Sequence, residues 1–206
     1  MKNIDKQANE QYFTAEPTAE HNYHHFDFEL LGHQLYFQTD SGVFSKRTID
    51  FGTRTMLEAL SKTTIPEGKI LDLGTGYGVV GIAVAKKFKR TVDMVDVNER
   101  ALQLARVNAK KNNVADVTHI FQSDVYDNIS EQYGLILVNP PIRAGKKVVT
   151  SMLQEAKLHL QPGGKLIAVL QKKQGAPSAQ KNMAEAFGNA QVIHKDKGYY
   201  ILESTR

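Results

Sequence analysis

The sequence predicts an α/β fold with a doubly wound, mostly parallel sheet and an N-terminal β-hairpin extension. From position 69 onward, short apolar runs of strand length alternate with longer segments whose apolar residues recur every three or four positions. This alternation is typical of a parallel sheet with helices on both faces. Between Phe26 and Phe37 the apolar residues alternate on either side of Leu31–Gln34, which predicts two antiparallel strands.

Each element has its own local signal. After the hairpin, Met56, Leu57 and Leu60 fit a helix over 50–60. The apolar runs then predict strands at 69–73, 91–97, 117–121, 134–138, 165–170, 191–194 and 199–203. Helical spacing predicts helices at 79–87, 99–111, 148–160 and 179–187, the third ending before the turn sequence Gln161-Pro162-Gly163-Gly164.

Length and composition favour one domain. Residues 1–20 are polar and aperiodic, so we expect a flexible tail, followed by a single domain over 21–206 in which 26–60 form the hairpin and helix extension. No apolar run approaches the roughly 20 residues that cross a bilayer, and the first residues lack the apolar stretch of a secretory signal. We therefore expect a cytoplasmic protein without a membrane partner.

Composition also limits the chemistry. The chain has no cysteine, which excludes disulfides, cysteine-based zinc sites and reactions that begin with thiolate attack on a pyrimidine ring. The histidines of 21–25 are adjacent rather than spread over separate segments, so we predict a solvated strand edge and no metal site. The net charge of +4 would assist binding to a polyanion without requiring it.

A glycine-rich loop, Asp72 to Gly78, follows the first parallel strand. Its glycines let the backbone approach a ligand closely. The pattern Gly-x-Gly-x-x-Gly at Gly76–Gly81 also occurs in nicotinamide-dependent oxidoreductases, which leaves that alternative open. A carboxylate at Asp72, however, would repel a pyrophosphate and suits the cationic amino-acid end of S-adenosylmethionine.

Acidic residues follow the next two strands as well. Asp96 ends the second strand, where it could bind ribose hydroxyls or simply cap the next helix. Asp124 follows the third strand and could accept a hydrogen bond from an adenine amino group. Asp93 lies inside the second strand, and we expect it to face solvent or a helix. Acids at successive ends of parallel strands point to one ligand crevice.

The fourth strand runs into Asn139-Pro140-Pro141. Two prolines fix the backbone and remove two N–H donors, so carbonyl groups are presented in a stiff turn. The Asn139 side chain adds a carbonyl acceptor and an amide donor. A rigid pair of acceptors suits a planar amino group, whose lone pair is then free to face a methyl donor.

These motifs together resemble class I S-adenosylmethionine-dependent methyltransferases, whose fold is Rossmann-like. The longer string Asn139 to Lys146, with 42–45 and 50–53 upstream, resembles the RsmC-type small-subunit ribosomal RNA guanine-N2 methyltransferases. The resemblance implies S-adenosyl-L-methionine as cofactor and Asn139, Pro140 and Pro141 as catalytic residues. It implies that the cofactor contacts Asp72, Gly74, Thr75, Gly76, Gly78, Asp96, Val97, Asp124, Val125 and Asn139.

The same resemblance implies a ribosomal RNA or small-subunit partner. Basic residues near the Asn-Pro-Pro turn could bind phosphates, so we assign substrate contacts to Phe44, Ile142, Arg143, Lys146 and Lys147, with Lys46 and Arg47 nearby. Many Asn-Pro-Pro enzymes have an aromatic residue where this chain has Ile142. Base stacking would then come from Phe44 or be replaced by apolar contact.

Three alternatives stay open: methylation of a protein glutamine amide, nicotinamide-dependent redox chemistry, and a cofactor-binding RNA module without catalysis. The sequence leaves undecided the target nucleotide, whether naked RNA or an assembled subunit is recognised, and the oligomeric state. It also leaves open whether the hairpin contacts substrate or only covers the core.

Overall fold

The computed structural model describes residues 21–41, 43 and 48–206. The predicted tail and the predicted substrate residues Phe44, Lys46 and Arg47 lie outside the described residues. The strands are β1 (His24–Leu30), β2 (His33–Thr39), β3 (Ile70–Leu73), β4 (Val92–Asp96), β5 (Thr118–Gln122), β6 (Tyr133–Val138), β7 (Leu160–Gln171), β8 (Gln191–Asp196) and β9 (Tyr199–Thr205). The α-helices are α1 (Phe51–Leu60), α2 (Val79–Phe88), α3 (Glu99–Lys111), α4 (Lys146–Gln154) and α5 (Ala176–Phe187).

Seven of these strands form one sheet in the order β5-β4-β3-β6-β7-β9-β8. The first five pair in parallel, whereas β9 runs antiparallel to both of its neighbours, β7 and β8. Strands β1 and β2 form a separate antiparallel hairpin. The predicted fold class, a doubly wound, mostly parallel sheet with an N-terminal hairpin, is confirmed.

Alternate residues of the strands face two hydrophobic cores. Ile70 belongs to the core covered by the hairpin and helices α1, α2 and α3. Leu71, its neighbour in β3, belongs to the core covered by α4 and α5. Because successive side chains of a strand point to opposite faces, the almost unbroken apolar runs in the sequence reflect burial on both sides of the sheet.

The hairpin is fastened to helix α3 through its backbone. Asn112 and Asn108 each exchange hydrogen bonds with the backbone of β2: Tyr36 N donates to Asn112 Oδ1 at 2.9 Å, and Gln38 N donates to Asn108 Oδ1 at 2.8 Å. Their amide nitrogens donate back to Tyr36 O at 2.7 Å and to Gln38 O at 3.0 Å. These side chains replace a neighbouring strand at the β2 edge. The hairpin therefore covers the core.

Two local expectations were wrong. The helix predicted over 148–160 ends at Gln154, a 3-10 turn follows at Glu155–His159, and β7 begins at Leu160. The predicted turn 161–164 lies inside β7 as an irregularity in its pairing with β6. The C-terminus stabilises this irregularity, because Gly163 N donates to Arg206 O at 2.8 Å and Arg206 N donates to Gly164 O at 2.9 Å.

Asp93 does not face solvent, which was one of the two alternatives expected for it. Its side chain is buried in the sheet. Tyr133 of β6 donates its hydroxyl proton to Asp93 Oδ2 at 2.7 Å, and His119 Nδ1 of β5 lies 3.1 Å from Asp93 Oδ1. Two partners from other strands thus compensate for burial of this carboxylate. Among the described helices, none combines the length and apolarity needed to cross a membrane.

We predict that Asn108→Ala lowers the free energy of unfolding by about 2–3 kcal/mol, because it leaves the partly buried backbone groups of Gln38 and the buried carbonyl of Tyr77 without this partner. Urea unfolding followed by circular dichroism measures the change. Gln103→Ala, on the exposed face of the same helix, serves as the control and should stay within about 0.5 kcal/mol of the wild type. Equal stabilities for the two variants would contradict the proposed anchoring.

Candidate active site

Four loops meet at the carboxyl edge of the parallel strands. They follow β3, β4, β5 and β6, which are consecutive in the order β5-β4-β3-β6. Nearly all residues predicted for the cofactor and the catalytic turn lie in these loops, so the sheet brings together segments that are far apart in sequence. Leu73 pairs with Val138, and therefore Gly74 and Asn139 continue from neighbouring strands at the same level.

The glycine loop has a backbone conformation that favours glycine. Gly74, Gly76 and Gly78 have φ angles of 77°, 56° and 99°. At Gly78 an added Cβ would lie 2.9 Å from Ile82 Cδ1 and 3.0 Å from Met94 Cε, so this glycine permits close packing of α2 on the sheet. At Gly76 an added Cβ would meet nothing within 4 Å, so the loop is open on the side where a ligand would lie.

Asp72 forms hydrogen bonds with the glycine loop and with the helix that follows it. Its buried carboxylate accepts hydrogen bonds at Oδ2 from Thr75 Oγ1 at 2.6 Å and from Gly81 N at 2.8 Å. The pKa of Asp72 is raised to about 6, chiefly by burial and to a smaller extent by the nearby Asp96 charge, while the two hydrogen bonds oppose the rise. Asp72 thus ties the loop to the start of α2, and a nearby cation would stabilise its ionised form.

Asp96 also forms a hydrogen bond with the glycine loop. Gly76 N donates to Asp96 Oδ2 at 2.8 Å, and Asn98 N donates to Asp96 Oδ1 at 2.9 Å. Burial raises the pKa of Asp96, against the effect of backbone hydrogen bonds from Asn98, Gly76 and Val97. The cap of α3 is Asn98, whose Oδ1 accepts from Ala101 N at 3.1 Å. The alternative that Asp96 merely caps this helix is therefore wrong.

The loop after β5 is the outermost of the four loops, because β5 is the edge strand of the sheet. Asp124 is exposed, whereas Val125 is partly buried against the core under α4. Val125 has a φ of 48°, which is uncommon for a β-branched residue. The Ser123 hydroxyl stabilises the turn, since it donates to Val125 O at 3.0 Å and accepts from Asn128 N at 3.1 Å.

The Asn139 side chain is fixed by helix α1. Its Nδ2 donates to Thr53 Oγ1 at 3.0 Å and, at 3.4 Å, to Asp50 Oδ2. Thr53 Oγ1 in turn donates to Asp50 Oδ2 at 2.5 Å, and Asp50 Oδ1 accepts from Thr53 N at 3.1 Å as the cap of the helix. Asp50 and Thr53 had not been predicted as site residues. Their spacing indicates a helix cap, but nothing local indicates a contact with Asn139.

The turn after Asn139 uses one of its two proline carbonyls. Pro141 O accepts from Ala144 N at 2.8 Å, which closes the 3-10 turn Ile142–Ala144. Ile142 packs against the core under α4. Basic side chains next to this turn are exposed, and none forms an ion pair with a carboxylate of the described residues: Arg143, Lys146 and Lys147.

Comparison with known proteins relates this geometry to a family. The methyltransferase small domain family matches residues 34–203. An uncharacterised Bacillus subtilis protein, YbxB, is 43% identical over 96% of this chain and 98% of its own length. Ribosomal RNA small subunit methyltransferase C of Vibrio vulnificus is 29% identical over 89% of this chain and 53% of its own. The chain therefore spans about half the length of that relative.

A solved structure shares the fold. The Thermus thermophilus 16S rRNA N2 methyltransferase RsmC, in complex with AdoMet and guanosine, superposes with a TM-score of 0.80 at 24% identity. The match covers 93% of this chain and 52% of that one.

We predict that Asp72→Asn changes how stability depends on pH. The amide oxygen can still accept from Thr75 and Gly81, but it does not ionise. Because the folded-state pKa of Asp72 is raised above 3.8 to about 6, its contribution to stability is lost as pH rises through that interval. Relative to the wild type, the variant should therefore gain about 2–3 kcal/mol between pH 4 and pH 7. Urea unfolding at both pH values measures this gain.

The exposed Asp124, changed to Asn, provides the control for Asp72→Asn and should follow the wild type at both pH values. Parallel pH profiles for the wild type and Asp72→Asn would show that Asp72 ionises normally in the folded protein.

Proposed function

Because the chain belongs to the methyltransferase small domain family, we propose that it transfers the methyl group of S-adenosyl-L-methionine to guanine N2 of small-subunit ribosomal RNA. The observation that carries the proposal is the fixed amide of Asn139 beside the glycine loop. Gly74 and Asn139 leave the sheet from adjacent strands, about 4.8 Å apart, so a methyl donor in the loop and an amino group at Asn139 would be close neighbours.

The residues present suit the cofactor. Gly76 offers an open backbone surface, and the buried acid Asp72 favours a nearby cation, as in the amino-acid end of this molecule. In this proposal Gly74, Thr75 and Gly78 shape the methionine end of the site, Asp96 and Val97 contact the ribose, and Asp124 and Val125 contact the adenine. Membership of a methyltransferase family agrees with the predicted cofactor.

The amide of Asn139 has a defined orientation. Its nitrogen donates to Thr53 and Asp50, which leaves its carbonyl oxygen as the acceptor for substrate. The Pro140 carbonyl would supply a second acceptor, since Pro141 O already closes the following turn. Two acceptors can hold both N–H bonds of a planar amino group and so direct its nitrogen at the methyl donor.

The transfer needs positioning more than proton abstraction. When bound, the cofactor supplies an electrophilic methyl group on a sulfonium. In the proposed transfer a bond from the substrate nitrogen to the methyl carbon would form as the carbon–sulfur bond broke, and the electron pair of the broken bond would stay on sulfur. The methylated nitrogen is transiently cationic and acidic, so its extra proton passes to water. The uncharged Asn139 orients the amino group and does not act as a base.

The choice of RNA rests on the relatives and on charge. The Vibrio vulnificus and Thermus thermophilus proteins are named as ribosomal RNA methyltransferases, and the second was solved with guanosine. In this chain Arg143, Lys146 and Lys147 are exposed without carboxylate partners among the described residues, which suits phosphate binding. We also propose a cytoplasmic location for the protein, where ribosomal RNA would be its substrate. Methylation of a protein glutamine amide is the rival outcome of the test, whereas family membership argues against redox chemistry.

The direct test supplies labelled S-adenosylmethionine with an RNA substrate, either 30S subunits or naked ribosomal RNA from a strain that lacks the gene, and separately with release factors as the protein substrate. We expect label in N2-methylguanosine. Label in release factors would favour the glutamine rival, and transfer to neither substrate would favour a module without catalysis.

We predict that Asn139→Ala lowers kcat by at least about a hundredfold, because the target amino group loses an acceptor and its orientation. Binding of S-adenosylhomocysteine, measured by calorimetry, reports whether the cofactor loop stays intact in this variant. Unchanged methylation of RNA by the variant would show that the substrate amino group binds elsewhere.

We also predict a positioning role for Thr53. Thr53→Val keeps the buried shape but removes the hydroxyl between Asn139 and Asp50, so kcat should fall roughly tenfold with little change in KM for RNA. Thr55→Val is a matched control, since that buried hydroxyl bonds within the helix to Phe51 O at 2.8 Å. Equal kcat values for the two variants would rule out the proposed role.

A further inference from the structure

We propose that the other half of the same sheet edge binds the RNA chain that flanks the target nucleotide. This inference rests on the proposed function and adds a surface to it. The surface consists of basic and aromatic side chains beyond Asn139, and we call it the lysine–aromatic ridge: Phe51, Arg54, Lys172, Lys197 and Tyr199.

The strand order puts the ridge beside the proposed reaction centre. The cofactor loops follow β3, β4 and β5 on one side of β6, whereas β7, β9 and β8 lie on the other side. Because β9 is antiparallel, its first residue, Tyr199, pairs with Gln171 and Asp196, the last residues of β7 and β8. With strands about 4.8 Å apart, β9 lies about 10 Å from β6 and β8 about 14 Å. The ridge is thus within reach of the nucleotides next to a guanine held at Asn139.

Positive charge on the ridge is not neutralised locally. Lys172 and Lys197 are exposed, Arg54 is partly buried, and none of the three forms an ion pair with a carboxylate of the described residues. The exposed Asp196, the last residue of β8, precedes Lys197 in the chain and forms no ion pair with it. Some other cations are paired with carboxylates, as Lys165 is with Glu203 at 3.2 Å. An unpaired cluster of cations at one edge matches the phosphates of a nucleic acid.

Aromatic rings give the ridge a defined shape. The Phe51 ring centre lies 5.2 Å from the Arg54 guanidinium carbon and 4.7 Å from Lys197 Nζ. Tyr199 packs on Phe51 with ring centres 5.7 Å apart. An added Cβ at Gly52 would lie 2.8 Å from Tyr199 Cε1, so the absence of a side chain there lets Tyr199 lie against the start of α1. Cations beside partly exposed rings are the combination that holds phosphates and stacks bases of single-stranded RNA.

The ridge is continuous with the residues that fix Asn139. Phe51 lies between Asp50 and Thr53 in the first turn of α1, and both of these contact the Asn139 amide. RNA on the ridge would therefore run directly to the proposed position of the target guanine. The rings also provide stacking surfaces near a turn in which Ile142 cannot stack.

The test is a charge reversal at two exposed positions of the ridge, Lys172→Glu with Lys197→Glu, outside the proposed cofactor site and the Asn-Pro-Pro turn. Methyl transfer to ribosomal RNA is measured over a range of salt concentrations. We expect KM for RNA to rise roughly tenfold, and the slope of log affinity against log salt to become shallower by about 0.7 for each lysine lost. The kcat and the affinity for S-adenosylhomocysteine should stay within about twofold of the wild type.

The matched control reverses the same charge at the opposite edge of the sheet, with Lys87→Glu and Lys110→Glu, both exposed in the last turns of α2 and α3. Its KM and salt slope should equal those of the wild type. If the wild type methylates RNA and the ridge variant keeps the wild-type KM and salt slope, the ridge proposal alone is overturned. A wild type that methylates no RNA, or that labels a ribosomal protein instead, overturns the proposed function and the ridge together.

Discussion

The hydrogen bonds between the Asn139 amide and the start of helix α1 are the constraint on which the site depends. One carboxylate, Asp50, caps the helix through Oδ1 and receives Thr53 Oγ1 and Asn139 Nδ2 at Oδ2. The start of a helix and the orientation of a strand-end amide are therefore set by the same group. An asparagine amide can otherwise rotate to present either its nitrogen or its oxygen. Here its nitrogen has partners in the protein, and its oxygen is the group left for substrate.

A second constraint acts across the cofactor half of the edge. Asp72 and Asp96 both accept hydrogen bonds from the backbone around the glycine loop, and burial raises the pKa of each. Two nearby carboxylates with little access to water destabilise the folded protein at neutral pH. Binding of a cationic ligand would reduce that cost, because opposite charge favours the ionised form. The two buried carboxylates therefore favour binding of the cationic proposed cofactor and disfavour binding of a pyrophosphate.

Local sequence patterns predicted much of the edge. The alternation of strands and helices, the acids at strand ends and the Asn-Pro-Pro turn depend on residues within about ten positions of each other, and the structure agrees with the predicted elements in order and kind. The limits of the elements were less predictable. Helical spacing continued past Gln154, although the chain tightens there into a 3-10 turn. At 161–164 the turn residues sit within a strand because the C-terminus pairs with them.

The long-range contacts could not be predicted, for a physical reason. Asn139 forms a hydrogen bond with Thr53, which is 86 positions away in the sequence, and Gln38 forms one with Asn108, which is 70 positions away. Both contacts depend on which strands are neighbours and on where the N-terminal segment crosses the sheet. Polar residues such as Asp50 and Asn108 look like ordinary caps or exposed helix positions when only their neighbours in sequence are considered. The order of the sheet gives them their roles.

The placement of charge matters more to the proposed RNA interaction than its total. A net charge of +4 spread over 206 residues is a weak attraction for a polyanion. At physiological ionic strength charges act over about 8 Å, which is less than two strand spacings. A phosphate therefore responds to the cations of one edge and hardly to the rest of the molecule. Exposed basic side chains at this edge follow two neighbouring strands: Arg143 and Lys146 come after β6, and Lys172 follows β7, with Lys197 in the turn before β9. A strand of RNA across that edge would therefore meet positive charge close to the nucleotide to be methylated.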